Sequence, residues 1–267
     1  MMKNQRVVPC LVLVALTWAC GSAWADVVTA DQLASLQWEE SVFSNKTIID
    51  ISHKYVVGMP YFYGGPHGLQ PFFKSVSSMK TDDKAFSNSA TFTLNTHSGT
   101  HCDAPGHFNQ TLMDEGYDVN SLDLRTLNGP VLVVDTPRDK NITAEVMKSL
   151  NIPRGVKRVI FKTLNTDRNL MSQSSFDPSY TGFTTDGAQY LVENTDIKLV
   201  GIDYLSIATG VLDELKGVHR TFLNAKDIIP VEDLKLDEVV PGVYTIHCLP
   251  LRLVTLDGSP ARCILIK

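Results

Sequence analysis

The sequence predicts a single α/β domain built around a mixed β-sheet. Three observations predict it. Short β-branched runs alternate with stretches of helical spacing, the tail reads as a hairpin, and neither an internal repeat nor a linker divides the 267 residues. A composition that is 43% hydrophobic and 20% charged suits a globular chain with material for a core, and excludes a disordered one.

Taken in order, residues 26–46 read as a short helical arm with Leu33, Leu36 and Trp38 on one face. Thr47 to Ser52 is a compact β-branched run and reads as a buried strand. Gly58-Met59-Pro60 and Gly64-Gly65-Pro66 mark a loop that carries Tyr55, Tyr61, Phe62 and Tyr63. Loops carry binding residues more often than cores do, so Tyr61, Phe62 and Tyr63 are candidate pocket walls. From Ser89 to Thr96, Phe92 and Leu94 alternate with Thr91, Thr93 and Asn95, the pattern of a half-exposed strand. Val131 to Val134 and Leu199 to Ile202 read as buried strands, and Val159 to Thr163 as a strand. Helices begin at Thr143, with Glu145 favourable to the helix dipole in the first turn, and span Asp186 to Asn194. Val243 to Val254, a turn at Asp257-Gly258-Ser259 and a return over Arg262 to Ile266 form the closing hairpin.

Residues 1–25 read as a signal peptide, leaving 26–267 as the mature domain. Lys3 and Arg6 give a positive start, Val7 to Ala19 is apolar but short for a bilayer span, and Ala23-Trp24-Ala25 supplies the small residues of a cleavage site. The expectation is a secreted protein with no membrane association after cleavage. A formal net charge of -5 and the lack of a basic stripe argue against nucleic acid as a partner. Cys10 and Cys20 leave with the signal. Cys102, Cys248 and Cys263 remain, an odd number, and are expected to be three buried thiols packing as small apolar groups. Sequons at Asn45, Asn109 and Asn141 permit glycosylation of an exported chain.

The chemistry concentrates in His97-Ser98-Gly99-Thr100-His101-Cys102-Asp103-Ala104-Pro105-Gly106-His107, a segment that holds three of the chain's 7 histidines. Gly99 permits a sharp change of direction after the strand. In an extended stretch His101 and Asp103 point the same way, and Cys102 points away. Two imidazoles and a carboxylate suit a borderline divalent ion such as zinc, manganese or ferrous iron, with open positions for water and substrate. His107, past the Pro105-Gly106 turn, is the candidate proton carrier. The chain has no GxSxG elbow, HExxH, P-loop or GxGxxG to suggest another mechanism.

The pattern H-x-G-T-H-x-D-x-P-x-H over 97–107 resembles the signature of the cyclase-like family, which includes bacterial kynurenine formamidases and isatin hydrolases. The likeness extends from Ile48-Ile49-Asp50-Ile51-Ser52-His53 to the end. Thr163-Leu164-Asn165-Thr166-Asp167, Val200-Gly201-Ile202-Asp203-Tyr204 and the stretch from Tyr244 to Arg252 are similar to the plant branch. The resemblance implies a swivelling β/β/α fold, a homo-oligomer, and metal-dependent hydrolysis of an amide, formamide or lactam bond in a small aromatic substrate. It implies His97, His101 and Asp103 as ligands of manganese or zinc and His107 as the acid/base. By likeness to binuclear members, His219 and Glu232 would complete a site for one or two ions. The chain departs from the bacterial formamidases in two places: His219 and Glu232 stand one residue further apart, and Asp233 occupies a position where Gly is usual. Both departures favour a single ion. The competing class is a regulatory or cell-wall-associated binding protein on the same scaffold, for which an open metal position would have no use.

Overall fold

In the computed structural model the described residues are 29–62 and 65–267, so the signal-peptide reading of 1–25 lies outside them, as does Tyr63. The chain divides into two units at residue 45. The first unit contains helix α1 (Ala30–Phe43), capped by Thr29 and Gln32 in a reciprocal capping box, with Leu33, Leu36 and Trp38 all more than half exposed.

The second unit holds strands β1 (Ile48–Asp50), β2 (Phe73–Ser77), β3 (Ser89–Phe92), β4 (His101–Asp103), β5 (Asn128–Asp135), β6 (Arg158–Lys162), β7 (Leu199–Ile202), β8 (Ile229–Glu232), β9 (Gly242–Pro250) and β10 (Gly258–Ile266). Its helices are α2 (Gln110–Asp114), α3 (Leu124–Leu127), α4 (Ala144–Ser149), α5 (Leu164–Asp167), α6 (Thr185–Asn194) and α7 (Leu212–Asn224). The strands from β5 through β8 run parallel, and the other pairings are antiparallel, which makes the mixed sheet that the sequence predicts. The order β10-β4-β8-β7-β6-β5-β9 closes on itself, because β10 also pairs with β9. Seven strands therefore form a barrel-like ring, with β1 attached to β10.

Alternation along the strands sorts two cores. Cys102, Val131, Val133, Ile160, Leu199, Val231, Ile246 and Leu265 belong to the cluster inside the ring. Val159, Phe161, Val200 and Ile202 face outward, where α4, α6 and α7 cover them with Val146, Met147, Leu191, Val218 and Phe222. Both halves of this pattern follow from runs too apolar for a one-sided sheet.

Several expectations are corrected. The run Thr47 to Ser52 is not a buried strand: β1 pairs on one side only and Ile48 is exposed, while Ile51, just past its end, is buried. The strand expected over Ser89 to Thr96 stops at Phe92 and pairs with β2 in a separate two-stranded sheet, with all four β3 residues exposed. The hairpin turn lies earlier than expected. Residues 251–257 make the connection, because Val254, a strand former by composition, sits exposed in the loop, and Gly258 and Ser259 already belong to β10. Finally, the three cysteines are not all thiols. Cys248 and Cys263 are register partners across β9 and β10 and form a disulfide inside the ring, leaving Cys102 as a buried free thiol. That pairing depends on hairpin register, which spacing alone does not reveal.

Candidate metal centre

Strand β4 delivers the centre of the site. Gly99 has φ +59, and a Cβ there would stand 2.9 Å from the Tyr55 ring, so a residue without a side chain makes the turn into β4. Within β4, Cys102 enters the inner core, which sends His101 and Asp103 to the outer face. Glu232 of β8 is the register partner of His101, so its carboxylate falls on the same face. Helix α7, with Asp213 and Glu214 in its first turn, buries Val218, His219, Phe222 and Leu223. It brings His219 over the carboxylates. The short 3-10 turn Pro105–Phe108 that follows β4 returns His107 to the cluster.

The donor atoms are close. His101 Nε2 lies 3.3 Å from Glu232 Oε2 and 3.4 Å from Asp103 Oδ1, and His219 Nε2 lies 3.3 Å from Glu232 Oε1 and 3.8 Å from Asp103 Oδ2. His97 Nδ1 stands 2.9 Å from Asp103 Oδ1. Among the described residues, two groups have ligand atoms close enough together for an ion: His101, Asp103 and Glu232 in the interior, and His97, Asp103 and His107 toward the surface, with Asp103 common to both. His97, His101, Asp103, His107, His219 and Glu232 are thus brought together from segments up to 135 residues apart in sequence.

Burial and charge give the site its character. His101, Asp103, His219 and Glu232 are all buried. Among the described residues, His101 Nε2 and Asp103 Oδ2 have no hydrogen-bond partner although they are shielded from solvent. Orphaned donor and acceptor atoms of this kind are costly unless something binds them, and a divalent cation would use both. The tautomers suit it too. His101 Nδ1 donates to the Gly99 carbonyl at 2.7 Å and His219 Nδ1 to the Leu215 carbonyl at 2.6 Å, which leaves both Nε2 lone pairs facing the carboxylates. Glu232 Oε1 accepts from the Ile207 amide at 2.7 Å, which orients that carboxylate. The residues present therefore fit a divalent metal. Without one, burial opposes charge on His97, but the hydrogen bond and charge of Asp103, with that of Asp257, prevail and lift it to about 9. Burial likewise works against ionised Asp103, and the surrounding His107, His101 and His97 outweigh it and hold the carboxyl well below its usual range.

A cavity of about 70 Å³ opens on this cluster. Phe62, Phe108, Leu205 and Leu215 wall it beside Ser206, with His97, His107, His219 and Glu232 also exposed to it. Phe108 stacks on His219 with ring centroids 4.3 Å apart. Of the three aromatics expected to wall a pocket, Phe62 does so. Tyr61 is half-buried on the same loop and does not line the cavity.

Sequence reasoning missed the role of one acid, Asp257, and for another, Asp233, saw the departure from Gly but not the burial. Asp257, read as a turn residue, accepts from His97 Nε2 and His107 Nδ1, both at 2.9 Å. The signal available was an acid just before Gly at the hairpin, which is ordinary turn chemistry and so pointed elsewhere. Asp233 has φ 59, the left-handed conformation that explains why Gly is common at such a position. Its carboxylate is fully buried, neither oxygen has a hydrogen-bond partner among the described residues, His53 Nε2 stands 4.0 Å away, and burial pushes its pKa up to about 8.

Comparison with known proteins places these features in context. Residues 49–209 match the Cyclase family model. Cyclase-like protein 3 of Arabidopsis thaliana is 52% identical over 259 residues, covering 94% of each chain. Kynurenine formamidase of Bacillus cereus is 31% identical over 198 residues, which is 74% of this chain and 88% of that one. The crystal structure of an isatin hydrolase bound to the product analogue thioisatinate superposes with a TM-score of 0.68 at 20% identity, covering 90% of this chain and 99% of that one, and shares its fold.

Proposed function

Because this chain belongs to the cyclase family, we propose that it is a metal-dependent hydrolase cleaving the C–N bond of a small N-acyl or lactam substrate that carries an aromatic ring. The observation that supports it most is the pair of orphaned buried atoms, His101 Nε2 and Asp103 Oδ2, beside an aromatic-walled cavity. His97, His101, Asp103, His219 and Glu232 would hold one or two ions, manganese or zinc. A bound divalent ion supplies Lewis acidity, which polarises a carbonyl and acidifies water. The carboxylates of Asp103 and Glu232 balance its charge, and the walls around them limit the entry of bulk water.

The cavity is far smaller than the roughly 300–1,000 Å³ of a pocket that encloses a drug-sized ligand. It accommodates a reacting formyl or ring carbonyl, while the aryl group lies across the mouth against Phe62 and Phe108. His107 borders the cavity and carries the proton needed by the departing nitrogen. The name of the Bacillus cereus relative supports the formamide half of this reading and that of the crystallised isatin hydrolase the lactam half. Export through the secretory pathway is part of the proposal, supported by residues 1–25 and by a disulfide between Cys248 and Cys263, since such bonds persist in oxidising compartments. So is assembly as a homo-oligomer.

The deciding experiment assays the metal-loaded protein against N-formyl aryl amines and against cyclic aryl imides, with release of the free amine or ring-opened acid as readout. Turnover of either class supports the reading. No turnover of both classes by fully loaded protein would favour a binding protein on this scaffold.

A further inference from the structure

One carboxylate oxygen in this site serves two imidazoles. Oδ2 of Asp257 accepts from Nε2 of His97 and from Nδ1 of His107, each at 2.9 Å. The two rings stack, with centroids 3.9 Å apart and planes 27° from parallel. Asp257 is itself held in place. Its Oδ1 accepts from the Thr96 hydroxyl at 3.0 Å, and its backbone carbonyl accepts from the Ala104 amide at 2.9 Å, on the exit of β4. The next residue completes the seat. A Cβ on Gly258 would come within 2.6 Å of His97 Cε1 and 3.0 Å of its Nε2, so the ring rests against bare backbone. Gly258 in turn pairs with Asp103 across β10 and β4.

Each imidazole has one nitrogen committed to Asp257, and the other nitrogen inherits the functional task. For His97 the remaining nitrogen is Nδ1, which already lies 2.9 Å from Asp103 Oδ1. For His107 it is Nε2, on a ring that borders the cavity. A carboxylate that accepts the far N–H of a ligating histidine fixes its tautomer and raises its basicity. The same contact on an acid/base histidine selects which nitrogen meets the substrate.

We propose that Asp257 is a positioning residue for both histidines at once, presenting Nδ1 of His97 to the metal position beside Asp103 and Nε2 of His107 to the cavity. The assignment rests on the metal-centre reading for His97 and on the acid/base reading for His107. It couples the two, since one side chain sets the orientation of both rings. The end of the β9–β10 connection thereby contributes to the site from 150 residues away from His107 and 160 from His97 in sequence.

The test uses two variants and two readouts. Asp257→Ala removes both acceptors. Asp257→Asn keeps the shape and one acceptor oxygen, for which the two rings and Thr96 compete. Histidine-selective ¹⁵N spectra of the chelator-treated and the metal-loaded proteins report which ring nitrogen carries the proton. Competition with a fluorescent chelator gives the affinity for Mn²⁺ and Zn²⁺. In wild type, His107 is expected to carry its proton on Nδ1. In Asp257→Ala that preference disappears and affinity for the ion falls by roughly 10–100-fold, with a smaller loss in Asp257→Asn. Unchanged His107 protonation together with unchanged affinity in Asp257→Ala overturns the assignment. A wild-type protein that binds neither ion would instead overturn the metal-centre reading, and the spectra would still decide the His107 contact by themselves. If Asp257→Ala fails to fold, an Asp257→Asn variant matching wild type in both readouts also overturns the assignment.

Discussion

His107 is where the proposed chemistry is most exposed to test. Its ligand atom lies near enough to those of His97 and Asp103 to join them around an ion, yet its ring also borders the cavity. If it moves protons, His107→Ala retains metal while kcat falls by about 10²–10⁴-fold, the usual worth of a general acid/base. Metal analysis and kcat measured on one preparation check this, and parallel loss of both makes His107 a ligand. Asp233 offers a second test. It combines left-handed backbone with a buried carboxylate that makes no hydrogen bond among the described residues and has His53 Nε2 at 4.0 Å as its ionic neighbour, so Asp233→Gly is expected to raise stability by about 1 kcal/mol, or a few degrees in Tm. A lower Tm would mean that the contact with His53 outweighs the cost of the buried carboxylate. The clustering of His97, His101, Asp103 and His107 was legible because a turn and a three-residue strand bring them together locally. Asp257 was not, because its relation to His97 exists only once β10 lies beside β4.

At the scale of elements, the parallel strands β5, β6 and β7 and the helices α4 and α6 were readable from apolar runs and first-turn residues. Strand β2 was not: Phe73 to Ser77 is exposed throughout most of its length and shows no one-sided pattern. Helix α7 was also missed as an element, and with it the reason His219 is buried, since the residue has meaning only on the face that covers the sheet. The disulfide depends on the same kind of information. Cys248 and Cys263 are 15 residues apart and meet because β9 and β10 are in register. Replacing either by Ser, under conditions that keep the other thiol reduced, is expected to cost about 3 kcal/mol by the chain-entropy model for a loop of this length. Urea denaturation measures it, and a change below roughly 0.5 kcal/mol would show that the hairpin needs no covalent tie.

For the molecule as a whole, closure of the ring is what composition and periodicity could not convey, since each strand looks the same in an open sheet as in a closed one. Closure sets β4, β8 and α7 side by side and so gathers buried charge that the fold must balance. Without metal, protons do part of the balancing. His97, raised to about 9 by Asp103 and Asp257 against the effect of burial, contributes stability that is fully present below about pH 6.5 and lost as pH rises through about 9. Asp257, held far below its usual range by its hydrogen bonds to His107 and His97, contributes stability lost only in strong acid. Chelator-treated protein is therefore expected to melt at a lower temperature at pH 9.5 than at pH 6. Affinity for the ion should run the other way, rising with pH as the proton it displaces becomes easier to remove. Melting curves and ion titrations at both pH values check the pair, and equal Tm with equal affinity would contradict it.

The central claim is that Asp103, common to both groups of ligand atoms, anchors a divalent ion. Elemental analysis of wild type and Asp103→Ala, purified side by side and reloaded with Mn²⁺ or Zn²⁺, tests it most directly. The expected result is about one or two ions per wild-type chain and less than about a tenth of that in the variant, because the variant loses the buried carboxylate that His97, His101 and His219 surround. An Asp103→Ala protein that folds and still holds a full complement of metal would contradict it.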